Sequence, residues 1–289
     1  MDSSTCMLSV IMPCFNHGKY LQEALDSIQK EKVAYPFEVI IVDDGSTDAF
    51  TLTKLEELKA HGYIVIHQKN AGPAAARNTG VANAKGKYIL PMDADNMITP
   101  EYINTGIAIL EKGEYQVTYC TPVFFGDTGA ASRAFKSQPF DITELLAANY
   151  IDNCAVYLKE VWVKNNGYDT SIPYWGHEDW EFWINAFANG FKFYFITQKL
   201  FHYRIVAASV AEQFKDQKKL EDNRCYIMQK HHQLYLTQYL KLNYIRQKYK
   251  TDINRFLFSP FIFLGYKLGI VKSPFKKANT NFDKKSAVE

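Results

Sequence analysis

Two pairs of carboxylates in this chain have types and spacings suited to metal-assisted and acid–base chemistry. Asp93 and Asp95, one residue apart, close the apolar run Tyr88-Ile89-Leu90-Pro91-Met92. A hard divalent cation that also carries phosphate oxygens takes one or two carboxylates of this kind from the protein. Glu178 and Asp179 are adjacent and open a segment in which Trp180, Trp183 and Phe187 recur on one helical face. The positive end of a helix dipole keeps such acids ionised, the state a general base needs. A third acidic group, Asp43-Asp44-Gly45-Ser46-Thr47-Asp48, follows another apolar run. Turn and helix-cap chemistry uses the same residues, so the surrounding elements must decide between the two uses.

Those elements alternate. Leu8–Pro13, Phe37–Val42, Tyr63–His67 and Tyr88–Met92 read as short buried strands, and Tyr20–Lys30, Thr51–Ala60 and Gly72–Ala84 as the helices between them. Alternation at this rhythm predicts an α/β fold with a mostly parallel, Rossmann-like sheet flanked by helices. Ligands of such sheets bind outside the carboxyl ends of the strands, where all three acidic groups then fall. A dinucleotide-binding turn would need three glycines after the first strand, and only Gly18 stands there; a Walker loop is absent too. Further on, Tyr115–Gly126 reads as one strand, Asp141–Asn149 as a short helix, Asn153–Tyr157 and Phe191–Ile196 as strands.

The chain has 289 residues, 47% of them hydrophobic, enough for a large core. Net charge is +2, but residues 212–289 carry 16 Lys/Arg against 7 Asp/Glu, whereas the rest carries 17 against 24. A basic tail on an acidic body suggests an anionic surface as neighbour. It contains no recognisable nucleic-acid module, so no nucleic acid is expected as partner. Five cysteines without paired spacing argue against a disulfide framework. With no secretory signal and no apolar run of about 18 residues, the expected location is cytoplasmic.

Four stretches in order, Ser9-Val10-Ile11-Met12-Pro13-Cys14-Phe15-Asn16, Val39 to Asp48, Gly72-Pro73-Ala74-Ala75-Ala76-Arg77-Asn78-Thr79-Gly80 and Asp93-Ala94-Asp95, resemble the successive motifs of family 2 glycosyltransferases. Gly176-His177-Glu178-Asp179-Trp180 is similar to that family's stretch bearing the catalytic base. The resemblance implies a GT-A fold over residues 1–211, with a nucleotide-sugar-binding half at 1–98 and an acceptor half at 99–211. It implies an inverting transfer of one sugar from a nucleotide-sugar, a UDP-sugar by default, to a hydroxyl of a glycan or lipid-linked glycan in surface-polysaccharide assembly. By position it assigns Pro13, Phe15, Asn16, Asp44, Arg77, Asp93 and Ala94 to the donor, Pro13 and Phe15 lining the base pocket. Arg77 would clamp a diphosphate or tie the loop acids together. Asp95 would hold Mn2+ or Mg2+, with Asp93 in its shell and His202 as a further candidate ligand. Asp179 would be the base, Glu178 would orient the acceptor, and Trp175 would stack on a sugar. The rival is a non-catalytic carbohydrate-binding or scaffold protein that keeps the fold.

Residues 212–289 read as a basic, mostly helical extension without the Gln-x-x-Arg-Trp signature of polymerising relatives. Adjacent on a helix, His231 and His232 read as surface. The segment 256–277, apolar, interrupted by Pro260 and Lys267 and followed by lysines, would lie peripherally in a membrane headgroup region. Packing on the main domain or on a second copy, a homodimer, would serve it equally. The last stretch, 276–289, reads as disordered.

Overall fold

The computed structural model describes residues 6–28, 30–127, 135–206 and 210–267, with side chains described for these apart from 30, 210–212 and 250–267. The chain forms two compact units that divide between Leu234 and Tyr235. Within the first, the strands are β1 (Leu8–Cys14), β2 (Phe37–Asp43), β3 (Ile64–His67), β4 (Tyr88–Pro91), β5 (Met97–Ile98), β6 (Val117–Cys120), β7 (Val123–Gly126), β8 (Val156–Leu158), β9 (Phe193–Ile196) and β10 (Phe201–Ile205). The helices are α1 (Gly18–Ser27), α2 (Ala49–Ala60), α3 (Pro73–Asn83), α4 (Pro100–Leu110), α5 (Ile142–Ala147), α6 (Lys159–Asn165), α7 (Glu178–Ala188) and α8 (Gln217–Lys230). Helix α9 (His232–Lys267) supplies the described part of the second unit.

Seven strands form one sheet in the order β3-β2-β1-β4-β8-β6-β9, and β5-β10-β7 form a second, small one. The large sheet is mostly parallel, as expected; β8 runs antiparallel to both β4 and β6. Strands β1 and β4 are buried almost throughout, which is why they read as unbroken apolar runs rather than as alternations. Helix α3 lies close on β1 because Gly80 has no side chain: a Cβ there would come within 2.3 Å of Ile11 Cγ2.

The single strand expected over Tyr115–Gly126 is two. Pro122 has no N–H to give a ladder, and the chain leaves the large sheet after Cys120 and enters the small one at Val123. The strand expected from Asn153 begins at Val156, and α6 follows it without a break. Helix α8 docks on α7. Asn223 accepts from Tyr174 N and donates to Tyr174 O and Gly176 O, while His231 Nε2 lies 2.8 Å and Lys230 Nζ 2.9 Å from Glu181 Oε1. The surface reading of His231 is thereby corrected: it is buried against Glu181, and His232 is the exposed neighbour. Helical adjacency says that the two diverge, not which one turns inward.

Candidate active site

The parallel register of the sheet brings three loops to one edge. Cys14 pairs with Asp43 and Ile11 with Pro91, so β1, β2 and β4 end side by side. Asn16, in left-handed backbone at φ 54°, accepts from Thr47 N at 2.8 Å and Asp48 N at 3.1 Å, locking the first loop onto the second. Asp43 accepts from Ser46 N and faces His67 Nδ1 at 2.9 Å. Asp44 accepts from Gln68 Nε2 at 2.7 Å, Ala71 N at 3.0 Å and Gly72 N at 2.8 Å. It therefore ties β2 to the loop that opens α3. Pro13 stands near the end of β1 and Phe15 just beyond it, the latter 43% exposed and free to cover a flat ligand. Ala94, between the two acids in sequence, is buried.

Arg77, on the first turns of α3, reaches across the crevice. Its Nη2 donates to Asp93 Oδ1 at 2.7 Å and its Nη1 to Glu178 Oε1. Of the two uses open for Arg77, tying acids together is the one seen. Burial works against its charge, and Asp93 and Glu178 outweigh that, holding it above the ordinary arginine range. Arg77 Nε and Glu178 Oε2 remain buried without a hydrogen-bond partner among the described residues. Polar atoms left this way in a crevice wall are ready for a ligand or water.

Asp179 stands next to this bridge at the start of α7, which carries three acids in its first turn. Its Oδ2 accepts from Asn149 Nδ2 at 2.9 Å and its Oδ1 from Trp180 N at 2.8 Å. Burial pushes its carboxyl up to about 7, Glu178 adding to the effect, while Arg77 and the two N–H donors pull the other way. Burial, then Asp93, lifts Asp95 to about 7 as well. Trp180 and Trp183 are core residues that donate to Leu145 O and Ile151 O. Trp175 is half exposed, and its indole covers Gly72, whose φ of +87° and lack of a side chain permit the approach: a Cβ there would sit 2.6 Å from the ring.

Several members of the site have no motif to announce them. Asp152, between α5 and β8, lies within electrostatic reach of Asp93, Asp179 and Arg77. Tyr203 on β10 feels Asp152, Asp93, Asp95 and Asp179 together. His17 Nδ1 is 3.9 Å from Asp95 Oδ2. Arg204 Nε donates to Asp95 O at 2.9 Å, its guanidinium lying 4.6 Å from the Tyr20 ring centroid and 4.3 Å from that of Phe125. Strand alternation puts His202 on the Arg204 side of β10, with its ring 6.2 Å from Phe125, and Tyr203 on the other side. Among the described residues no ion pair or hydrogen bond joins His202 to Asp93 or Asp95.

A divalent cation suits this donor set. Asp95 presents hard oxygens beside Asp93, in a crevice where acids outnumber the guanidinium that meets them. No group of three or more His, Cys, Asp or Glu is gathered as a metal cage among the described residues. A groove of about 490 Å³ along Tyr115, Phe140, Phe187, Phe193 and Tyr194 is mostly apolar and contains none of these acids.

Comparison with known proteins agrees with the geometry. The profile "Glycosyl transferase family 2" matches residues 9–162, more than half of the chain. An uncharacterized glycosyltransferase of Methanocaldococcus jannaschii, MJ1057, is 27% identical over 207 residues, 69% of this chain and 71% of that protein. The poly(ribitol-phosphate) beta-N-acetylglucosaminyltransferase TarS of Staphylococcus aureus is 27% identical over 202 residues, 68% of this chain and 35% of TarS. A crystal structure of its residues 1–349 with UDP-GlcNAc superposes with a TM-score of 0.57 at 23% identity, over 71% of this chain and 60% of that one. The mannosyltransferase PcManGT from Pyrobaculum calidifontis, solved with GDP-Man and Mn2+, gives 0.56 at 18% identity, over 77% and 64%. The sheet and flanking helices are thus shared with solved glycosyltransferases.

Proposed function

Since the chain belongs to glycosyl transferase family 2, and is a glycosyltransferase, we propose that it moves a single sugar from a nucleotide-sugar, a UDP-sugar first, to a hydroxyl of a glycan or lipid-linked glycan, inverting the anomeric carbon. The observation that carries this reading is the position of Asp179, a carboxylate at about 7 joined through Glu178 and Arg77 to the strand-end acid Asp93. TarS, bound to UDP-GlcNAc in its crystal structure, supports the donor class.

Inversion in one displacement needs one base. The acceptor hydroxyl loses its proton to Asp179 as its oxygen bonds to the anomeric carbon, and the bond from that carbon to the diphosphate breaks. A carboxyl near neutrality is ionised in a large share of molecules and still basic enough to take the proton. Asn149 fixes the direction of its lone pairs. Arg77 holds Glu178 and Asp93 in place, so the base and the donor loop keep a set spacing. Asp95 and Asp93 would hold Mn2+ or Mg2+, which when bound stabilises negative charge on the departing diphosphate. Phe15 and Pro13 would cover the base, and Trp175 would carry the acceptor sugar.

Peripheral membrane contact through 256–277 fits a lipid-linked acceptor. Its residues 268–277 lie outside the described residues, as does 276–289; α9 extends to Lys267. Among the described residues no helix is long and apolar enough to cross a membrane.

The test is turnover of UDP-GlcNAc, UDP-Glc and GDP-Man with Mn2+ and a glycan acceptor, the product anomer read by NMR. An inverted product that disappears with Asp179→Asn is expected. A retained anomer, or turnover indifferent to Asp179, contradicts the reading.

A further inference from the structure

Residues 174–176, just before α7, belong to no helix or strand, so their backbone N–H and C=O groups need partners from outside the stretch. The chain also turns sharply here: Gly176 has φ +100° and His177 +67°, two left-handed residues in succession, a conformation that persists only where its surroundings hold it. Two side chains from beyond residue 211 supply the hold. Asn223 of α8, 0% exposed, accepts from Tyr174 N at 3.0 Å and donates to Tyr174 O at 2.9 Å and Gly176 O at 3.1 Å. Its Nδ2 also lies 3.3 Å from His177 Nδ1. Gln213, on the short 3-10 helix Val210–Lys215, donates to Trp175 O.

These bonds flank one side chain. Asn223 fixes the residues before and after Trp175, and Gln213 fixes Trp175 itself. The indole rests over Gly72 on one side and is half exposed, so burial alone does not set its place; the backbone beneath it does. The neighbouring acids have other supports, Asp179 from Asn149 and Glu178 from Arg77. An asparagine amide offers one acceptor and two donor protons, and the loop uses all of them. Aspartate lacks the donors. We propose that Asn223 is a positioning residue for acceptor recognition, holding Trp175 where its open face meets the acceptor sugar. This rests on the reading of Trp175 as the acceptor platform. The acceptor site then draws on a helix beyond residue 211.

The experiment uses the full chain labelled with 5-fluorotryptophan, and the Trp175 resonance in the 19F spectrum is assigned by its loss in Trp175→Phe. Kinetics use Mn2+, UDP-GlcNAc, UDP-Glc or GDP-Man as donor, and as acceptor whichever p-nitrophenyl β-glycoside of glucose, galactose or N-acetylglucosamine the wild type glycosylates. Asn223→Asp removes both donor protons; Gln213→Ala, which leaves the Asn223 bonds in place, reads the same point should the first variant fail to fold. In both the Trp175 resonance should shift or broaden while those of Trp180 and Trp183 stay. In Asn223→Asp the acceptor KM should rise ~10- to 100-fold at an unchanged kcat, the scale set by about an ångström of misplacement. A lowered melting temperature with the Trp175 resonance and the acceptor KM unchanged is the mark of a merely structural asparagine and overturns the proposal. Trp175→Ala separates the two levels. If it raises the acceptor KM and neither other variant does, the proposal alone fails. If it leaves the KM as in the wild type, or the wild type glycosylates none of the three, the acceptor reading fails one step earlier and takes the proposal with it.

Discussion

At Asp179 opposed influences meet on one carboxyl: burial, with Glu178, raises it to about 7, while Arg77, the Trp180 N–H and the amide of Asn149 pull it down. A base works when deprotonated, so kcat/KM should fall about tenfold per pH unit below ~7 and level off above it. In Asn149→Ala the stabilising N–H is gone, the carboxyl rises further, and the acid limb moves to higher pH. A pH–rate profile of both proteins checks this, and a limb that stays in place would detach Asn149 from the base. The sequence marks Asp179 through its motif, but Asn149 lies 30 residues earlier in a loop without any pattern. The same holds for Asp152 and Tyr203. Their chemistry comes from what folds beside them, and periodicity carries no such information.

Among the elements, α3, the loop after β4 and α7 are joined through Arg77, whose guanidinium meets an acid from each of the other two. Arg77→Met should leave Glu178 buried and uncompensated, and cost about 3–5 kcal/mol by denaturant titration. A loss under about 1 kcal/mol would mean that the bridge orients the site without supporting the fold. Strands β1, β2 and β4 were readable because burial on both faces writes an unbroken apolar run, and acids at their ends mark where the run reaches solvent. The change of sheet at Pro122 was harder to read. An apolar run on either side of one proline looks like one strand until the partner strands are known. The antiparallel entry of β8 is likewise a matter of partners, since its three residues fit either direction.

For the whole molecule, the first unit extends through α8 because Glu181, fully buried, takes its partners from Lys230 and His231. A chain ending at residue 234 should keep a cooperative melt and bind nucleoside diphosphate as the full chain does. One ending at 216 removes both partners of Glu181 and should be destabilised by about 3–5 kcal/mol. Residues 235–289 should be dispensable for donor binding but needed for sedimentation with phosphatidylglycerol vesicles; equal sedimentation of the 234-residue chain would refute the membrane role of the second unit.

The central claim is a donor site built on the strand-end acids, and nucleotide binding reaches it most directly. Thermal melting with UDP, GDP, dTDP or CDP, each with and without Mn2+, is compared for the wild type and Asp95→Asn; a ligand that binds the native state raises Tm. One nucleoside diphosphate should raise it in the presence of metal and not in its absence, and Asp95→Asn should abolish the rise. A wild type that responds to none of the four, or a rise indifferent to both metal and Asp95, would contradict the account.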